Sequence, residues 1–155
     1  MHICVTIGTD ASFCDRYRIA TYAYHIRYTG ARLKKSGRLI GSIEDSNEAE
    51  AKCIANALYL FKGLDIKTKW LVINTDSKTT INRYRRGSKD PIIQYITQIL
   101  TELRSKGRCK IISFRHVKAH APKKGRDKRT NVNQRCDNEA RKLLIKYRKE
   151  LKQYA

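Results

Sequence analysis

This chain is poor in acid. Its 155 residues carry 14 Asp and Glu against 34 Lys and Arg, a formal net charge of +20. It has no run near the roughly 18 apolar residues of a membrane-spanning helix, which excludes an integral helical membrane protein. The first ten residues show neither the positive start nor the small-residue exit of a signal peptide. No C-x-x-C occurs and no Cys/His cluster has zinc spacing. The five cysteines (Cys4, Cys14, Cys53, Cys109 and Cys136) are odd in number and widely spaced, so most read as small buried hydrophobes in a reducing compartment. There is no internal repeat and no linker, and we read residues 1–155 as one domain.

What is present is enough apolar material for a core. Hydrophobic residues make up 41% of the chain, which excludes a disordered basic tail. At +20 the self-repulsion is substantial, and a polyanion partner is the most economical reason to tolerate it. The excess is uneven: residues 1–60 hold 8 Lys/Arg and 6 Asp/Glu, and residues 61–155 hold 26 and 8. Charge alone separates neither nucleic acid from an anionic membrane nor an enzyme from a binder. The basic face of the last helix (Lys142, Lys146, Lys149, Lys152) would suit a membrane, but its apolar face is needed to cover the sheet, so no membrane partner is expected.

Apolar periodicity gives a coarse map. Residues 3–7 read as a buried strand running into residues 8–12, residues 18–28 as a second strand, and residues 32–43 as a weaker third, broken by Gly37 and Gly41. A helix capped by Ser46 or Asn47 runs to about Lys62. Residues 70–74 form another core strand, residues 77–85 a short helix, and Asp90-Pro91 opens a helix through about Ser105. Residues 109–117 are a fifth strand, residues 121–131 a basic loop, and residues 132–153 a final helix. The order βββαβααβα implies an α/β fold, a five-stranded mixed sheet flanked by helices.

With so few acids, their positions are informative. Asp10 and Asp76 are each expected at the C-terminal end of a core strand, the edge where open α/β sheets bind ligands. Glu50 heads the stripe Cys53, Ile54, Ala57, Leu58 and Phe61, so it should face the sheet; Glu48 falls on the solvated face and suits the helix dipole. Asp137 is expected in the first turns of the last helix. Converged, Asp10, Glu50, Asp76 and Asp137 would carry a local charge of about −4, which two divalent cations would balance. Hard oxygen ligands suit Mg²⁺ or Mn²⁺, and two such ions about 4 Å apart can drive phosphodiester cleavage.

These residues, in Thr9-Asp10-Ala11-Ser12, Ser46-Asn47-Glu48-Ala49-Glu50, Asn74-Thr75-Asp76-Ser77, Val117-Lys118-Ala119-His120 and Asn133-Gln134-Arg135-Cys136-Asp137-Asn138-Glu139-Ala140, resemble ribonuclease H type 1, over residues 3 to 145. The resemblance implies a ribonuclease H-like fold and divalent-metal-dependent cleavage of the RNA strand of RNA–DNA hybrids. It implies that Asp10, Glu50, Asp76 and Asp137 are the metal-binding catalytic carboxylates, and that His120 is the loop histidine assisting proton transfer or product release. Asn47 matches a minor-groove contact, Ser46 stands where an Asn is common, Ala11 replaces a Gly beside Ser12, and Lys78 stands where some members carry a Gln. His116, on the fifth strand, matches no functional position of the family and is expected to be structural. The stretch after Asp76 is too short for the long basic protrusion of some bacterial members. Arg83, Arg85, Arg86 and Lys89, or Lys123, Lys124, Arg126, Lys128 and Arg129, are then the phosphate-contact candidates. Two other readings stay open: a junction resolvase or transposase-like nuclease of the same superfamily, and a non-catalytic nucleic-acid-binding module. A monomer in the cytoplasm is expected, bacterial or carried by a phage or mobile element.

Overall fold

The computed structural model of the chain describes residues 2–117 and 128–153, and the side chains of all of these but 128–134. Five strands and four helices follow one another as β1 (His2–Cys14), β2 (Ile19–Tyr28), β3 (Ala31–Arg38), α1 (Ser46–Gly63), β4 (Thr68–Thr75), α2 (Lys78–Arg85), α3 (Pro91–Ser105), β5 (Cys109–His116) and α4 (Lys128–Gln153). This is the order read from the sequence. The strands form one sheet in the order β3-β2-β1-β4-β5, with β1 and β2, and β2 and β3, antiparallel. β1 and β4, and β4 and β5, run parallel, so the sheet is mixed. Short turns suffice for the antiparallel half; Gly30, at φ +74°, makes the reversal between β2 and β3. The parallel half needs crossovers, which α1 and α3 supply.

Side-chain alternation assigns the helices to faces. On one face Val5, Ile7, Tyr24, Ile26, Leu71 and Ile73 pack with Ile54, Leu58 and Phe61 of α1 and with Ile93, Ile96, Leu100 and Leu103 of α3. The opposite face belongs to α4. Cys136 and Ala140 lie on Ala23, and Leu144 lies on Cys14 and Ile19. Small side chains at Ala23, Cys136 and Ala140 let α4 approach closely, and the Thr21 hydroxyl donates to the Ala140 carbonyl at 2.5 Å. The cysteine reading holds for four of the five: Cys14, Cys53, Cys109 and Cys136 are buried and Cys4 is exposed, all as free thiols.

Four boundaries differ from the sequence expectation. β1 does not end near residue 7 but continues to Cys14, because its two edges have different partners: β4 leaves after Gly8, while β2 stays paired as far as Cys14. Asp10 is therefore inside a strand. β3 stops at Arg38; the chain leaves the sheet through Gly41, at φ +83°, and Leu39 and Ile43 instead pack beneath it with Ala20 and Ala49. The cap of α1 is Asp45, whose carboxylate accepts from the Glu48 amide, rather than Ser46 or Asn47. α4 begins at Lys128, not 132, since no Gly or Pro interrupts the chain after Gly125. Asp137 consequently stands in the third turn of α4, about one turn deeper than expected.

The C-terminal end of α1 is held by one side chain from the turn between α3 and β5. Arg108 donates to the carbonyls of Phe61 (3.1 Å), Lys62 (2.8 Å), Leu64 and Ile66 (3.0 Å). A guanidinium there satisfies orphan carbonyls and complements the negative end of the helix dipole. Arg108→Ala is expected to lower stability by about 2–3 kcal/mol, read as the urea midpoint at constant slope. A loss under about 0.5 kcal/mol would show that water replaces those donors freely.

Candidate active site

The register places the first two acids. β1 and β4 are parallel with Gly8 opposite Asn74, so two residues further on Asp10 and Asp76 stand level. Asp10 is only 2% exposed and pairs with Ala23 of β2, while Asp76 follows the last residue of β4 and is half-buried. Glu50 comes down from the second turn of α1. With β4 no longer alongside β1, the Ala11 amide donates to Glu50 Oε1 at 3.3 Å. Glu50 Oε2 is buried and has no hydrogen-bond partner among the described residues. One carboxylate oxygen each from Asp10, Glu50 and Asp76 lies within 4.8 Å of the others.

Asp137 approaches from the opposite face on α4 and is 9% exposed. It acts on both Asp10 and Glu50 but lies outside the tightest group of three. Arg141, one turn later, donates from Nε to Asp137 Oδ1 at 3.1 Å. That partner is legible as an i, i+4 spacing, but in the sequence it blends into the basic face of the helix. His116, expected to be structural, has its Nε2 3.1 Å from the Asp76 carbonyl, on the turn that carries Asp76.

Two thiols fix the helices to β1 beside Asp10. Cys53 donates to the Asp10 carbonyl at 3.3 Å, and Cys136 donates to the Gly8 carbonyl at 3.5 Å from the other face. Burial pushes both thiols well above their ordinary range, so they stay neutral beside the acids.

The remaining sequence candidates sit around this centre. Ala11 and Ser12 are half-buried on β1, Ser46 is exposed and Asn47 half-buried at the start of α1. Lys78 and Arg85 are exposed and line a cleft of about 210 Å³ with Ile81, Asn82 and His116, beside the turn of Asp76. Arg86 is exposed just past α2. Arg83 instead lines a cleft with Lys52 and the acids Glu44, Asp45, Glu48 and Asp90. His120, Lys123 and Lys124 lie outside the described residues, as do Lys118 and Arg126.

Burial, and then the charges of neighbouring carboxylates, raise the pKa of both Asp10 and Glu50 far above the usual carboxylate range, Glu50 to about 8. A folded-state pKa above the unfolded one means the native state holds more protons between the two values. The associated stability is full below about pH 4 and is lost as pH rises toward the folded values. Without metal, the urea midpoint should therefore fall between about pH 4.5 and pH 8, by the equivalent of about 2 kcal/mol or more. Asp10→Asn should flatten that slope. A metal-free protein as stable at pH 8 as at pH 5 would contradict the repulsion described here.

This geometry can be compared with known proteins. The family model described as RNase H matches residues 3–145. No curated protein sequence matches the chain. Among solved structures, RNase H1 from the halophilic archaeon Halobacterium salinarum NRC-1 is 16% identical, covering 92% of this chain and 98% of that one, with a TM-score of 0.62. The N-terminal RNase H domain of rv2228c from Mycobacterium tuberculosis is 17% identical, covering 96% and 99%, at 0.64. LC11-RNase H1 in complex with an RNA/DNA hybrid is 18% identical, covering 92% and 98%, at 0.61. The structures share the fold, the family model spans the carboxylates at both ends of the chain, and this protein belongs to the RNase H family.

Proposed function

We propose that the chain is an endonuclease that hydrolyses the RNA strand of RNA–DNA hybrids, using two Mg²⁺ ions, or Mn²⁺, at the carboxylate centre. One observation carries the reading. In a protein of net charge +20, acids from β1, α1 and the end of β4 are brought within 4.8 Å of one another, with a buried Glu50 oxygen left without a donor. Such a group is a poor core and a good ligand set for hard divalent cations. Family membership and the hybrid bound to LC11-RNase H1 support the substrate class.

Asp10, Glu50, Asp76 and Asp137 would hold the cations, which when bound activate a water and stabilise the leaving oxygen of the phosphodiester. The protein's own groups do the positioning. The Ala11 amide fixes Glu50 Oε1, so this carboxylate needs little reorganisation to bind. His116 steadies the Asp76 turn, and Arg141 orients Asp137. Ser12, Ser46, Asn47 and Lys78, with the Ala11 backbone, would meet the substrate, where the 2′-OH distinguishes RNA from DNA. Arg85, Arg86, Lys123 and Lys124 would take phosphates, and His120 would move a proton near the leaving group. Every carboxylate comes from one copy of the chain, so a monomer suffices.

The test is a set of labelled substrates (hybrid, double-stranded RNA, single strands and a four-way junction) with Mg²⁺, Mn²⁺ or EDTA. Only the RNA of the hybrid should be cut, and only with metal. Asp10→Asn and Asp76→Asn should each lower turnover by about 100-fold or more while hybrid binding survives or tightens, since a repelling charge is removed. Undiminished turnover of either variant in Mg²⁺ would overturn the metal assignment. Cleavage of the junction alone would favour the resolvase-like reading, and metal-independent binding without cleavage the non-catalytic one.

A further inference from the structure

The strand that carries Asp10 and the helix that carries Asp137 meet again at their far ends. There the β1–β2 turn and the C-terminal half of α4 enclose a cleft of about 220 Å³ lined by Arg16, Tyr17, Ile145, Arg148, Lys149 and Lys152. Four of the six are cations and none is an acid. The nearest turn carboxylate, Asp15, is engaged by Arg18 at 3.2 Å. The floor is apolar: Ile145 is 54% exposed, and the Arg16 guanidinium lies 5.3 Å from the centre of the Tyr17 ring. The Tyr17 hydroxyl is buried with no hydrogen-bond partner among the described residues. Nothing in the core explains four cations gathered here, since Leu144, Tyr147 and Leu151 already provide the packing of α4 on Cys14 and Ile19.

We infer that this cleft is an anchor for a backbone phosphate of the nucleic acid, remote from the cleavage position. The inference rests on the proposed action on hybrids. Asp10 and Cys14 lie on the α4 face of the same strand, so the cleft is on the side of the sheet from which Asp137 reaches the centre. Four residues of strand separate Asp10 from Cys14, about 13 Å, and 11 residues of helix separate Asp137 from Arg148, about 17 Å. With one phosphate per strand for each ~3.4 Å of duplex axis, the cleft meets a phosphate about four or five nucleotides from the scissile bond. Cations there lengthen the grip on the duplex without adding positive charge at the metal centre.

The decisive comparison removes equal charge from two places. Arg148→Ala/Lys149→Ala acts at the cleft; Lys69→Ala/Lys110→Ala acts at exposed positions where β4 and β5 begin, at the opposite end of the strands from Asp76. Hybrid binding is measured by fluorescence anisotropy in EDTA at several salt concentrations, with a long hybrid and one cut to about three pairs on either side of the cleavage position. The cleft variant should bind the long hybrid about tenfold more weakly, with a salt slope lower by about one or two, and the short hybrid as wild type does. KM on the long hybrid should rise while kcat stays unchanged. Equal losses from both double variants, or equal losses on long and short hybrids, would overturn the anchor. So would loss of binding to phosphatidylserine vesicles with hybrid binding intact. A wild-type protein that binds no hybrid would instead defeat the functional reading itself.

Discussion

The mutual repulsion of three carboxylates in a poorly hydrated place is the constraint on which the rest of this structure depends. Asp10 cannot leave, because it is a mid-strand residue paired with Ala23 and its carbonyl is held by the Cys53 thiol. Asp76 cannot leave, because parallel register with β1 sets it level with Asp10. Glu50 is turned inward by the apolar stripe it heads and by the Ala11 amide. Each acid is placed by packing energy distributed over the core, and the cost of their proximity is concentrated at one point. That is how a fold stores a cation-binding site: the core supplies rigidity, and the cation relieves the repulsion that rigidity imposes.

The surrounding surface follows from the same arrangement. A protein of +20 has bases to spare for its own acids, and at the rim of the group Arg141 pairs with Asp137. Two other acids serve as helix caps, Asp45 for α1 and Asp90 for α3, and line a cleft with Glu44, Glu48, Lys52 and Arg83. Six other cations line two clefts that hold no acid, Lys78 and Arg85 beside the turn of Asp76 and Arg16, Arg148, Lys149 and Lys152 at the far end of α4.

Much of this is legible in the residues. Element order, the inward direction of Glu50 and the shared edge of Asp10 and Asp76 follow from apolar periodicity and strand ends. What periodicity cannot show is where a strand with two different neighbours stops. β1 loses β4 after Gly8 and keeps β2 to Cys14, so Asp10 lies in a strand interior rather than at a strand end, without leaving the ligand edge. The start of α4 escapes the same reading because residues 128–131 are all polar and carry no apolar stripe, which hides the first turn of the helix ahead of Asp137. The Asp45 cap and the Arg108 clamp depend on side-chain reach, Arg108 across 46 residues of sequence to Lys62, which local pattern does not encode.

The carboxylate centre holds protons until a cation takes their place. Calorimetric titration of Mg²⁺ into the metal-free protein near neutral pH, repeated in buffers of different ionisation enthalpy, counts those protons directly. Net proton release on binding is expected, reduced in Glu50→Gln. Binding without proton release, or release undiminished in that variant, would contradict it.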